Sequence, residues 1–449
     1  MERGFMMEIF KYGGQEIKET PLFDTVVVGG GTAGAAAAIA SAKAGNATLV
    51  IEKMNALGGT PVHGLVMPMM ASHVEHNTLF YEIEEELKDR GMKTRDGYSD
   101  GLWFSGEEMA FCLEELFLKN GGKILYDAVF VDVVTAGNRI EAVLVMTSGG
   151  LLAVRGRCFV DASGDALLAR AGKVPCECGD SEGKNQISSF RFEVGGINIE
   201  AYRSYCQSIH DTFCPMQAGE NFESAMVAGS GFALEPLFRR GVKDGILEEA
   251  DLRYYQCFTI PGKAGSMSFN CPHIKSLECN TNAWARSEGI TEGRRMIRRL
   301  VRFLQLYMPG FENAYLQREA SMLGIRESWR IRGKYVLTEE DYINRARFSD
   351  GVVRGDWYID VHSAGQGLIQ KNKYEPGECY EIPYRCMVSD VAENLIVAGR
   401  CISATFLMQA SIRIQPTLID LGQAAGEACH YSVKNGVPLN CIDGKVLRR

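Results

Sequence analysis

Two groups able to move a proton stand two positions apart in Tyr358-Ile-Asp-Val-His362. If that segment is a strand, its two-residue period puts Asp360 and His362 on one face. A carboxylate there can orient an imidazole that takes the proton of an alcohol or amine; a structural Asp–His bond at a sheet edge is the competing reading. Arg326 and Arg330 are four apart. On a helix they share a face and could clamp a carboxylate or sugar hydroxyls, against an ordinary salt bridge to Glu327. Cys176-x-Cys178 lacks a second Cys or His pair at zinc spacing, so no metal is expected.

The most specific spacing is Gly29-x-Gly31-x-x-Gly34, directly after the β-branched run Thr25-Val-Val-Val28. Gly29 suits the tight turn, Gly31 lets backbone touch a pyrophosphate, and Gly34 lets a helix lie close on the strand. The helix N-terminus then offers N–H groups and a positive dipole end to phosphates. Glu52 closes the next strand, near the spacing of an acid that binds a ribose hydroxyl. The pattern predicts a bound dinucleotide and leaves NAD and FAD both open.

The elements that must position these residues follow from punctuation. A hairpin over Ile9 to Lys18 turns at Gly13-Gly14, and the small-residue helix Ala35 to Ala44 ends at Gly45-Asn46. Helices follow from Asn77 to Gly91 and from the capping box Ser105-x-x-Glu108 to Gly121; Lys123 to Asp127 returns as a strand. Alternation from Val129 to Val154, with turns at Gly137-Asn138 and Gly149-Gly150, predicts a three-stranded meander running into Val160-Asp-Ala-Ser-Gly-Asp165. Strands at Tyr254 to Ile260 and Ser266 to Cys271 flank a turn. A last βα unit has Asn394 to Ala398 as strand, Gly399-Arg400 as turn and Pro416 to Lys434 as helix. The fold class is α/β: a Rossmann-like nucleotide-binding domain with a β-meander over residues 1–185, an inserted α+β substrate domain over 186–385, and a C-terminal completion of the first domain over 386–449.

Bulk properties narrow the function. A chain of 449 residues fits two domains, and a net charge of −8 argues against nucleic acid or an anionic membrane as partner. The arginine-rich stretch 294–302 is predicted to be the solvated face of an amphipathic helix. No apolar run reaches membrane-span length, and no signal-peptide order opens the chain. With fourteen scattered cysteines read as reduced thiols, the expected location is cytoplasmic.

In this order the pieces resemble the bacterial family of FAD-dependent oxidoreductases whose flavin domain is like that of glutathione reductase. The resemblance rests on Val26-Val-Val-Gly-Gly-Gly-Thr-Ala-Gly34, Glu52-Lys53, Leu57-Gly58-Gly59-Thr60, Val160 to Asp165, Gly324-Ile-Arg-Glu327, Ile382-Pro-Tyr-Arg385, Ala398 to Ser403 and Gly422-Gln-Ala-Ala-Gly426, and covers nearly the whole chain. It implies that FAD is held by Gly29, Gly31, Thr32, Ala33 and Gly34 at the pyrophosphate, by Glu52 and Lys53 at the ribose, and by backbone near Val129 at the adenine. Gly58, Gly59 and Thr60, the strand end Ala162, Ser163, Gly164 and Asp165, and Gly399 and Arg400 complete the set. If the last helix presents its N-terminal N–H groups to the flavin pyrimidine, its dipole favours negative charge on the reduced ring; Leu421, Gly422 and Gln423 are assigned to that contact.

The resemblance further places Arg413 in a loop over the flavin as a substrate anchor. It sets His63 beside the ring, where it could carry a covalent link. A second G-x-G-x-x-G for NADPH does not occur. The flavin is therefore expected to exchange a hydride at N5 with a small polar metabolite directly, assisted by Asp360, His362, Arg413, Arg326 and His63, with the second electron partner and any homo-oligomer left open. Two positions depart from the family pattern: Phe406 and Trp329 stand where a histidine and an arginine are expected. If both line the substrate cavity, the pocket is more apolar or has passed a catalytic task to His362 or His63. A flavoprotein acting on nucleic acid and a non-catalytic FAD-binding protein are the alternatives.

Overall fold

The computed structural model describes residues 8–94, 101–211, 213, 222–274, 277, 279–363, 367–371 and 374–448. The chain opens with the antiparallel hairpin β1 (Glu8–Tyr12) and β2 (Gln15–Glu19). It continues through β3 (Phe23–Val28), α1 (Thr32–Lys43) and β4 (Thr48–Ile51). α2 (Thr60–His63), α3 (Thr78–Asp89) and α4 (Gly106–Lys119) lead to β5 (Lys123–Leu125) and the meander β6 (Val129–Ala136), β7 (Arg139–Thr147) and β8 (Gly150–Asp161).

These strands form one mixed sheet, with order β1-β2-β8-β3-β4-β5 and β6-β7 joined to β8. Twelve-residue β8 links its two halves: Gly150 to Arg155 pairs antiparallel with β7, and Gly156 to Asp161 pairs parallel with β3. Burial on both faces explains the apolar runs Val26-Val-Val28 of β3 and Leu49-Val-Ile51 of β4. The predicted capping box on α4 is half formed. Ser105 Oγ accepts from the Glu108 N–H at 3.3 Å, but the Ser105 N–H is turned to Met92 Sδ at 3.2 Å, so Glu108 has no cap amide to receive.

A second, fully antiparallel sheet contains β9 (Phe192–Gly195), β10 (Glu223–Met226), β11 (Tyr255–Thr259), β12 (Met267–Phe269) and, after α5 (Ala283–Tyr307), β13 (Tyr315–Glu319). Its order is β10-β11-β12-β9-β13. The predicted basic stretch lies on α5, whose Met296, Ile297, Leu300, Phe303 and Leu304 are buried. Three of its arginines are paired with acids: Arg294 with Glu319, Arg295 with Glu292 at 3.2 Å, and Arg299 with Asp251 at 2.8 Å.

The hairpin β14 (Ile359–Ser363) and β15 (Gly367–Lys371) follows, and then β16 (Leu395–Val397) returns to pair parallel with β8. α6 (Phe406–Ile412) and α7 (Gln415–Asn435) come next, α7 stopping at Gly436 in the left-handed conformation, φ 66°. α7 packs on α1 through two glycines one turn apart. A Cβ on Gly422 or Gly426 would stand 2.3 Å from the carbonyl oxygens of Ala33 and Ala37 respectively, so only hydrogen fits there. One apolar core runs continuously through both sheets. Among the described residues no helix is long and apolar enough to cross a membrane.

Candidate functional site

A cavity of about 600 Å³ lies between the carboxyl ends of β3, β4 and β8, the second sheet and the start of α7. Its first end is built by backbone. A Cβ on Gly34 would meet the Gly29 carbonyl oxygen at 1.8 Å, and one on Gly29 would meet the Ala162 oxygen at 2.5 Å. At Gly31 the space is open, with Gly59 Cα at 3.9 Å the nearest atom. The first turn of α1 therefore meets the cavity with no side chain at its N-cap. The 58–60 loop crosses over this turn through the Gly58 N–H, which donates to the Gly30 oxygen at 2.7 Å.

Glu52 holds the turn in place. Its Oε2 accepts from the Gly30 N–H at 2.6 Å and its Oε1 from the Met54 N–H at 2.8 Å. It also lines the cavity, as do Gly29, Gly31, Thr32, Ala33, Lys53, Gly59, Thr60 and Val129, while Gly34 and Gly58 stand behind them in packing roles. At the end of β8, buried Asp161 accepts from the N–H groups of Ser163 and Ala169, which orders the turn Ala162 to Asp165 on the cavity wall. Asp165 is gripped by Arg400 Nη2 at 2.7 Å and Arg286 Nη2 at 2.9 Å. Burial raises its pKa, but these two charges outweigh burial and keep the carboxyl below its ordinary range. Arg400 also donates to the Gly164 carbonyl at 2.8 Å, and Gly399 and Arg400 both line the wall.

The far end is built by charged side chains. Arg413, at the C-terminus of α6, donates to the backbone oxygen and to Oδ2 of Asp360, both at 3.1 Å. His362 Nε2 stands 3.5 Å from Asp360 Oδ1, as the strand period predicted for β14. Burial opposes ionisation of Asp360, but the hydrogen bond from His362 and the Arg413 charge overcome it and bring the carboxyl down to about 2. Burial and the Arg326 charge press His362 down to about 4, so the imidazole is neutral at neutral pH. His273, stacked on Tyr254 with ring centroids 4.3 Å apart, accepts from Arg326 Nη2 at 3.1 Å, and burial with the Arg326 charge holds it neutral. His63 lines the cavity and donates from Nε2 to the Ala56 oxygen at 3.0 Å.

Several expectations are corrected by these positions. Arg326 and Arg330 share no helix, because residues 325–329 belong to no helix or strand and Arg330 opens a short strand paired with Cys176–Glu177. Arg326 reaches the cavity; Arg330 is buried against Glu327 behind it. Leu421, Gly422 and Gln423 are off the cavity wall: Gly422 is the contact with α1, and Gln423 caps α3 by accepting from the Leu79 N–H at 2.7 Å. The cavity face of α7 begins earlier, at Gln415 and Leu418. Neither Trp329 nor Phe406 lines the cavity; Trp329 donates to Thr281 and lies under Arg170, and Phe406 starts α6.

Arg191, Tyr254, Gln415 and Arg286 are cavity residues that the sequence reading passed over. Arg191 carried a usable signal, a positive charge set between the aromatic residues Phe190 and Phe192. The others did not, being ordinary surface types by composition.

The arrangement suits FAD on two observations. The glycine cradle leaves backbone open where a Cβ would intrude. Three buried polar atoms on the far wall also lack partners: Trp357 Nε1, Arg413 Nε and Gln415 Oε1. Buried polar atoms are almost always satisfied, so these point to a ligand.

The sequence model of the family described as FAD dependent oxidoreductase matches residues 24–449. No curated protein matches the chain. Among solved structures the chain is similar in fold to p-nitrophenol 4-monooxygenase PnpA from Pseudomonas putida DLL-E4, at 11% identity and TM-score 0.50, covering 94% of this chain and 82% of that one. A geranylgeranyl bacteriochlorophyll reductase-like protein from Thermoplasma acidophilum is similar at 13% identity and TM-score 0.47, covering 92% and 79%.

Proposed function

We propose, from the premise that this chain belongs to the FAD-dependent oxidoreductase family, that it oxidises or reduces a small polar metabolite at the end of the cavity carrying Asp360 and His362. FAD, when bound, supplies the hydride acceptor or donor at its N5 position. The residues fitted to hold it are Gly29 to Ala33, Glu52 and Lys53, Ala162 to Asp165, and Gly399 and Arg400. We read the FAD-binding part as glutathione-reductase-like, made of 1–185 and 386–449, with 186–385 shaping the substrate side.

The chain's own residues divide the remaining work. His362, neutral at neutral pH, accepts the proton of a substrate hydroxyl or amine in one direction and returns it in the other. Asp360, ionised and fixed by Arg413, orients His362 and stabilises its protonated form. Arg326 anchors substrate, and burial together with the Asp360 charge keeps the Tyr254 hydroxyl protonated as a donor. The observation that carries the reading is the position of the Asp360–His362 pair on the same cavity as the Gly29–Gly34 turn.

The test is anaerobic mixing of the yellow protein with hydroxy acids, amines and sugars. Bleaching by one class is expected. A flavin that none of them bleaches, and that after photoreduction no corresponding carbonyl compound reoxidises, overturns the reading.

A further inference from the structure

Positive charge exceeds negative charge at the substrate end. Three guanidinium groups, on Arg191, Arg326 and Arg413, line it together with one carboxylate, Asp360. Arg413 takes Asp360 as its ion-pair partner. Among the described residues neither of the other two arginines has a carboxylate within ion-pair reach. Arg191 donates to Asn270 Oδ1 at 2.9 Å and to the Leu65 oxygen at 2.6 Å, and Arg326 to the Ile187 oxygen at 2.9 Å and to His273.

The remaining titratable groups facing them offer no compensation: His273 and His362 are neutral and Tyr254 is protonated. Glu223, whose charge acts on Tyr254, is off the cavity wall and engaged by Gln256 Nε2 at 2.6 Å. Burying an uncompensated guanidinium is costly unless something arrives to pair with it.

We infer that the metabolite is a carboxylate, seated on Arg326 and Arg191, whose neighbouring hydroxyl or amino group reaches Asp360 Oδ1 and His362. The inference rests on the reading of this end as the substrate side of a flavoenzyme. A guanidinium fork matches a carboxylate in plane and charge, which an ammonium would not. The unpartnered Gln415 Oε1 is an acceptor for the adjacent hydroxyl or amine, and Trp357 Nε1 is a further donor.

The test uses oxidised holoenzyme titrated with lactate, malonate and benzoate, with their neutral amides and with inorganic phosphate, read by flavin absorbance and by thermal shift. Saturable binding of an acid at least about tenfold tighter than its amide is expected, weakened about 10- to 100-fold in Arg326→Gln and largely kept in Arg326→Lys. Equal binding of acid and amide overturns the inference, as does phosphate binding tighter than every carboxylate. An Arg326→Gln variant that shifts the flavin potential but leaves carboxylate binding unchanged also overturns it, since the charge would then serve the reduced ring alone. Should that variant fail to fold, the acid–amide comparison on the wild type decides. A protein that carries no FAD tells against the underlying reading, whereas thermal stabilisation by carboxylates is measurable with or without FAD.

Discussion

The two ends of the cavity solve different problems with different materials. At the nucleotide end the decisive atoms are backbone: Gly34 brings α1 within contact of the Gly29 carbonyl, Gly31 leaves the helix start open, and Glu52 ties the turn down through two N–H groups. At the substrate end the decisive atoms are charged side chains. Arg191 precedes β9, Arg326 lies in a segment outside any helix or strand, Asp360 and His362 are on β14, and Arg413 ends α6. The first end is a steric device written in consecutive residues; the second is an electrostatic device assembled from distant ones.

Breaking the steric end has the largest expected effect. Gly34→Val forces a side chain into the Gly29 carbonyl and is expected to cost on the order of 3 kcal/mol or more and to abolish FAD retention through gel filtration. A folded, yellow variant refutes the steric account.

At the electrostatic end the expected pattern is the reverse. His362→Ala should keep its full complement of FAD and lose about 10²- to 10⁴-fold in turnover with the substrate found by bleaching. Loss of FAD instead would mean that the two ends are not separable.

A pH measurement sharpens the same contrast. His362 is held at about 4 against an ordinary 6.5. As pH falls through this window the unfolded chain binds a proton that the folded one refuses. Stability therefore declines from about pH 6.5 down to about 4, by about 3 kcal/mol in full, and is indifferent to this group above the window. Denaturant melts of wild type minus His362→Gln should show that slope; its absence places the imidazole in water.

Smaller effects follow at positions that serve as braces. Glu52→Gln presents an amide donor to one of two backbone donors and is expected to cost about 1–3 kcal/mol in thermal melts, with weaker FAD binding. Arg294→Ala, on the solvated face of α5, should change stability by no more than about 0.5 kcal/mol. A larger loss there would make its pair with Glu319 structural, and salt-sensitive RNA retention by the wild type that this variant lacks would revive a nucleic-acid role for that face.

The same contrast explains what could be read in advance. The hairpin, the meander, the return of residues 394–398 to the sheet and the Gly29–Gly34 turn were legible, because each is specified by near neighbours through turn chemistry and the two- or 3.6-residue period. The Asp360–His362 pair was legible for that reason too. The failures came where local pattern underdetermines placement. Arg326 and Arg330 fit a helical spacing, but strand pairing with Cys176–Glu177 and a buried bond to Glu327 won. Gly422 fits a cofactor motif, but its missing Cβ serves the contact of α7 with α1.

By itself, then, the sequence determined a strand–turn–helix that only glycine can make, and with it a dinucleotide site, since steric exclusion acts between residues a few positions apart. Only the tertiary structure decided which charges meet across the cavity. Arg191, Arg326, Asp360, His362 and Arg413 span more than two hundred positions of chain. Their shared field exists only once the two sheets are packed, because electrostatic coupling between buried groups depends on distance and desolvation, neither of which is encoded locally.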